Sequence, residues 1–152
     1  MCDCCRPVPP DGRFTVHVDT EDPTRSSTIG LTEHGLPELV VIGLHADLAA
    51  ELLAAWGDYL LDEEQVLPGE LLDWGPFLME AVHVDRPSEE LPRAARRFTD
   101  LRALQLVWTD DRDHWPWDPA AQRPYQPLLG SRAPWFCHDD ARDRLDVPPH
   151  LP

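Results

Sequence analysis

Three short patterns bring an imidazole and a carboxylate together: His17 with Asp19, His45 with Asp47, and His83 with Asp85. Such a pair can hold a transition metal or work as an acid/base couple, because the carboxylate orients the ring and stabilises its charged form. A spacing of two places both groups on one face only in a strand. His17, Asp19, His83 and Asp85 lie in segments of strand character, so they are the candidate catalytic or metal-binding residues, and they would act jointly if their strands shared a surface. With 28 acidic residues in the chain, one such pair arises by chance, and solvated strand-face residues are the competing reading. His45 and Asp47 precede a helical pattern, where Asp47 is placed to cap.

Thiols form a second group. Cys2, Cys4 and Cys5 are spaced C-x-C and C-C, unlike the two-residue gap of ordinary zinc knuckles. Thiolates this close would take zinc or another soft transition metal if Cys137 or His138 folded back to complete a tetrahedral set. Free thiols on a Pro-rich arm are the alternative. Trp115, Trp117, Tyr125 and Trp135, followed by Phe136, stand among recurrent prolines in the last third of the chain. Rigid amphipathic rings of this kind suit a groove for a small-molecule ligand or a surface for a protein partner. They equally suit a cover over the core beneath a long loop. No Ser stands in a nucleophile elbow, and no Gly-rich phosphate loop or dinucleotide fingerprint is present. The residues therefore point first to a binding or interaction module using aromatic C-terminal loops. The alternative is a small metal-dependent or thiol-using enzyme with a His/Asp or Cys/His site.

The elements that must position these groups follow from hydrophobic period. Phe14, Val16 and Val18 alternate with polar residues and predict a half-buried strand over 13–18. Residues 27–32 and the apolar, β-branched run 38–44 predict two more strands about a turn at Gly35-Leu36-Pro37. Leu48, Leu52, Trp56, Tyr59 and Leu60 return at three- and four-residue intervals and predict a helix over 47–61. Residues 70–74 and 77–85 read as a hairpin around Gly75-Pro76. Ser88 can cap a second helix reaching about residue 99, with Pro92 tolerable only in its first turn, and residues 103–109 form a last apolar strand. The expected fold class is α+β: a mostly antiparallel sheet of five or six strands with two helices on one face and a long Pro/aromatic-rich C-terminal loop region. Residues 1–12 read as a Cys/Pro-rich arm, 13–130 as a single domain, and 131–152 as loop and tail.

Charge narrows the partners. The net charge of −15 comes from 28 acidic against 13 basic residues, every one of the latter Arg. Nucleic acid and anionic membrane are therefore not expected as partners. The one dense basic patch, Arg93, Arg96, Arg97 and Arg102, has helical spacing and would either balance nearby carboxylates or grip a phosphate. No apolar run approaches the ~20 residues of a membrane span, and the N-terminus lacks the zones of a signal peptide. The expected location is the cytoplasm, where thiols stay reduced.

Two runs also carry a resemblance. Thr28-Ile29-Gly30-Leu31-Thr32 and Gly35-Leu36-Pro37-Glu38-Leu39-Val40-Val41-Ile42-Gly43-Leu44 resemble the pattern of a bacterial family known as domain of unknown function 4262. Met1-Cys2 with further Cys nearby, residues 101–108 followed by Trp115-Pro116-Trp117, and Gln126-Pro127-Leu128-Leu129-Gly130 are similar to its actinobacterial members. The resemblance spans most of residues 13–130 and implies a fold like the one above. It implies no activity, so no residue inherits a role from it. Family members place an aromatic residue before the Thr of the Thr-Ile/Val-Gly-Leu run, where this chain has Ser27. If that aromatic lines a site, the site here is altered or wider.

Overall fold

Alternation at Phe14, Val16 and Val18 buries one side of strand β2 (Thr15–Val18) and leaves Thr15 and His17 on the other. The computed structural model describes residues 5–6, 12–62, 64–74, 77–121, 126–134 and 136–137. Besides β2, its strands are β1 (Cys5–Arg6), β3 (Arg25–Ile29), β4 (Glu38–Ile42), β5 (Glu70–Trp74), β6 (Phe77–His83), β7 (Ala103–Trp108) and β8 (Phe136–Cys137). They form one sheet in the order β1-β2-β3-β4-β7-β6-β5-β8, in which six strands of four or more residues are flanked by a two-residue strand at each edge.

The sheet is mixed, and this corrects the expectation of a mostly antiparallel one. At its centre β4 and β7 run parallel, with Val40 opposite Gln105, and β5 and β8 are parallel too. Parallel neighbours need a crossover connection. Helix α1 (Ala46–Leu61), which leaves the end of β4, begins that crossover. Every residue of β4 and β7 is buried, as continuous apolar runs in a doubly covered strand require.

That double covering corrects a second expectation, that the helices share one face. Leu39, Val41, Leu104 and Leu106 face α1 and pack with its Ala49, Leu52, Leu53 and Leu60. Val40, Ile42 and Ala103 face the opposite way and pack with Leu91, Ala94, Phe98 and Leu101. Both alternating sets of β4 are apolar, so each face needs its own cover. The second cover contains α2 (Pro87–Glu90) and α3 (Pro92–Ala95), where one helix was expected. Pro92 disfavours helical backbone at the residue before it, and Leu91 accordingly sits at φ −124°, ψ 67°.

Helix α1 begins one residue before its expected start. His45 is its N-cap, its Nδ1 accepting from the Asp47 amide at 3.3 Å. Asp47 lies instead in the first turn, where its charge meets the positive end of the helix dipole. Gly57 sits mid-helix because a Cβ there would lie 2.3 Å from the Phe14 ring. The run expected as a strand over 27–32 ends at Ile29, where Gly30 at φ 125° turns the chain into a 3-10 segment, Leu31–His34.

Candidate functional site

Register sets which candidate residues can meet. His17 pairs with Ser27, Ser27 with Val40, Val40 with Gln105, and Gln105 with Val82, so these five side chains form one row across the α2–α3 face. His83 follows Val82 and is paired with Leu104, a residue of the α1-side core. The two histidines are thus on opposite faces, with three strands between them, roughly 19 Å along the sheet at ordinary strand spacing. The His17/Asp19 and His83/Asp85 pairs do not share a surface, contrary to the joint site considered from sequence. His83 borders a separate hollow of about 220 Å³ past the end of α1. His45 and Asp47 are exposed, 3.8 Å apart, at the start of that helix.

His17 opens instead onto a cleft of about 350 Å³ between β2–β3 and the α2–α3 segment. His17 and Ser27 lie in its floor, Asp19, Thr20 and Glu21 form one rim, and residues 90–94 with Arg96 form the facing wall. Ser27 contributes only a small side chain to this floor. It occupies the position where the resemblance led us to expect an aromatic ring.

Three interactions shape the cleft. Arg93 places Nη1 2.6 Å from His17 Nδ1. A guanidinium cannot accept, so Nδ1 is the acceptor and the neutral ring carries its proton on Nε2. Arg25 Nη2 donates to the Glu90 carbonyl at 2.6 Å and to Glu90 Oε2 at 2.8 Å, stitching β3 to the end of α2. Asp19 Oδ1 accepts from the amides of Glu21 and Asp22 at 2.8 and 3.2 Å and so braces the loop. The four-Arg patch is divided by this arrangement. Arg93 and Arg96 line the cleft, whereas Arg97 pairs with Glu33 at 3.0 Å and Arg102 donates to the Gly35 carbonyl.

The aromatic candidates have partners within the chain. Trp115 and Trp117 stack with ring centres 5.1 Å apart and planes 5° from parallel, and Arg132 lies over Trp117 at 3.5 Å. Arg132 also grips the fully buried Glu80 in a fork, Nη2 to Oε1 at 2.8 Å and Nε to Oε2 at 3.0 Å. These rings therefore cover the partly exposed Arg132 guanidinium that answers the buried Glu80 carboxylate. Tyr125 and Trp135 lie outside the described residues. The segment 126–134 straps the outer side of β6 and β7. Gln126 uses its amide to pair with both backbone groups of Trp108, and Gln105 reciprocates toward the Pro127 carbonyl and the Leu129 amide. Gly130 lets the strap touch down, since a Cβ there would meet the His83 carbonyl at 1.8 Å.

Of the proposed thiol set, Cys2, Cys4 and His138 lie outside the described residues. Cys5 and Cys137 belong to the strands at opposite edges of the sheet, so the fold does not bring their backbones together. Among the described residues no group of three or more His, Cys, Asp or Glu is placed to hold a metal ion. No helix among them is long and apolar enough to cross a membrane. One pairing was missed from sequence: buried Asp110 accepts from the amides of Arg112 and His114 at 2.9 Å, and His114 Nδ1 lies 3.3 Å from its Oδ2. Its spacing of four escapes a search for His-x-Asp, and it closes a tight loop after β7.

The two signature runs meet at Glu38. This carboxylate, fully buried, accepts from the hydroxyls of Thr28 and Thr32 and from the amides of Gly30, Leu31 and Thr32. Thr-Ile-Gly-Leu-Thr is thus a set of donors folded around the Glu of Gly-Leu-Pro-Glu-Leu, and the motif builds the fold rather than a reaction centre. The model of the family described as domain of unknown function (DUF4262) matches residues 8–122. The chain belongs to that family. Neither a curated protein nor a solved structure matches it. The matched span contains both the Glu38 clasp and the cleft, while the Gln126 strap lies beyond it.

Proposed function

We propose that this chain is a small-ligand binding module whose site is the cleft beneath α2 and α3. The observation that carries this reading is the convergence of His17, Ser27 and Arg93 on one concave space of about 350 Å³, within the ~300–1,000 Å³ range of small-ligand sites. The aromatic loops, the site favoured from sequence, are less suited, because Trp115 and Trp117 spend their faces on each other and on Arg132. A fragment library titrated into isotope-labelled protein tests the reading. Amides of His17, Ser27 and Arg93 should shift, and Ser27→Phe, which fills the floor with a residue that favours strands, should abolish those shifts while the protein stays folded. Shifts confined to residues 115–117 and 126–134 would return the site to the aromatic loops.

A further inference from the structure

We propose that the ligand of this cleft is a small zwitterion, an amino acid or short peptide whose ammonium end meets the rim at Asp19 and Glu21 and whose carboxylate end meets Arg96. The inference rests on the cleft being the site and adds the chemistry of what enters it. The lining carries three carboxylates, Asp19, Glu21 and Glu90, and three guanidinium groups, Arg25, Arg93 and Arg96. Equal numbers select neither sign of ligand, so selection lies in where the charges stand. Glu90 and Arg25 cancel in their ion pair, and Arg93 is engaged with His17. The charges left over are those of Asp19 and Glu21 on one rim and of Arg96 on the facing wall.

Among the described residues, none of these three forms an ion pair across the cleft. Asp19 uses Oδ1 to accept from the amides of Glu21 and Asp22, which leaves Oδ2 to a ligand. Glu21 and Arg96 are exposed, and neither side chain makes a hydrogen bond or ion pair among the described residues. On a chain of net charge −15 a cation is welcome over much of the surface, whereas a carboxylate is held only where a guanidinium is at hand. The carboxylate end therefore seats the ligand, since the planar fork of Arg96 matches two carboxylate oxygens. The ammonium end then sets its direction across the cleft. A simple anion would bring nothing to the acidic rim, and a simple cation would leave the Arg96 wall unmatched. Between the two poles the floor offers the Ser27 hydroxyl, which donates or accepts and so suits a peptide-like amide.

Titration of the full chain at low ionic strength, followed by heteronuclear NMR and calorimetry, tests this with two zwitterions of different span, γ-aminobutyrate and glycylglycine. Butyrate and propylammonium serve as probes that each keep one charged end. The zwitterions should shift the amides of Glu21, Ser27 and Arg96, and the better of the two should bind about fivefold tighter than either single-ended probe, as one further ion pair in an open cleft allows. Arg96→Gln should bring that zwitterion down to the level of propylammonium. Glu21→Gln should bring it part of the way to the level of butyrate, since Asp19 remains. Arg97→Gln, whose guanidinium engages Glu33, should leave binding unchanged. Glu21 and Arg96 are exposed, so their variants keep the fold, and an unaltered unfolding midpoint confirms this. A single-ended probe that binds as tightly as both zwitterions overturns the proposal. So does zwitterion affinity untouched by both cleft substitutions, although shifts still centred on the cleft would leave the binding reading intact. If no probe and no fragment shifts the cleft, both fall.

Discussion

One face of the sheet lies under a single 16-residue helix, and the other under two four-residue helices and a strap without regular structure. The long helix presents Ala49, Leu52, Leu53 and Leu60 as a continuous apolar stripe that packs on the sheet. The short pieces cannot offer such a stripe. Their polar anchors are Arg25 to Glu90 for α2, Arg93 to His17 for α3, and Arg132 to Glu80 with Gln105 and Gln126 to facing backbone for the strap. The lesson is that a cover assembled from short, separately anchored pieces leaves spaces between the anchors, bordered by polar groups. The cleft at His17 is such a space.

The largest test of this contrast lies on the α1 side. Leu52 has no exposed surface, so Leu52→Ala should cost about 2–5 kcal/mol as a large-to-small change in a close-packed site. Urea unfolding that left the midpoint in place would mean that α1 is not held by its stripe. On the opposite face, Arg132→Ala should cost about 3 kcal/mol, since it strands the Glu80 carboxylate in the interior. Loss of Arg132 without change in stability would show the strap to be decoration rather than anchor, and Glu80→Leu in the same background should recover part of the loss. The smallest effect sharpens the comparison. Gly→Ala inside a helix ordinarily gains roughly 1 kcal/mol, but Gly57→Ala should lose about 1–2 kcal/mol because its methyl enters the Phe14 ring. A stabilised Gly57→Ala protein would mean that α1 rides higher over β2 than described.

Much of this architecture was visible in residue order, for reasons that also mark where vision failed. Period located α1 and β2, continuous apolar runs located β4 and β7, the Gly75-Pro76 turn marked the β5–β6 hairpin, and Pro92 signalled trouble in the second helix. Period states which face a side chain takes, not which strand lies beside it, so the parallel β4–β7 pair and the separation of His17 from His83 were both hidden. His17 was recognisable as a candidate, but its partner Arg93 stands 76 residues away in sequence. The Glu38 clasp was visible as a motif and unreadable as a role, because its hydrogen bonds appear only once the 3-10 turn folds back. Trp115 and Trp117 were ambiguous for a different reason: the same rigid rings suit a ligand groove and a lid over a buried charge.

The parallel pair at the centre of the sheet has a consequence in time. Ile42 and Trp108, joined by the indole N–H donating to the backbone carbonyl, are 66 residues apart in the chain, so the two halves of the sheet are joined by contacts of long range. The β2–β3–β4 meander with α1, and the β5–β6 hairpin, can each assemble from near neighbours. Their union must wait for β7, and closing so long a loop slows folding. On the ribosome, where domains form from the N-terminus onward, the apolar inner edge of β4 is made early and left open until β7 emerges. Nascent chains halted before residue 103 should therefore be the species most in need of a chaperone.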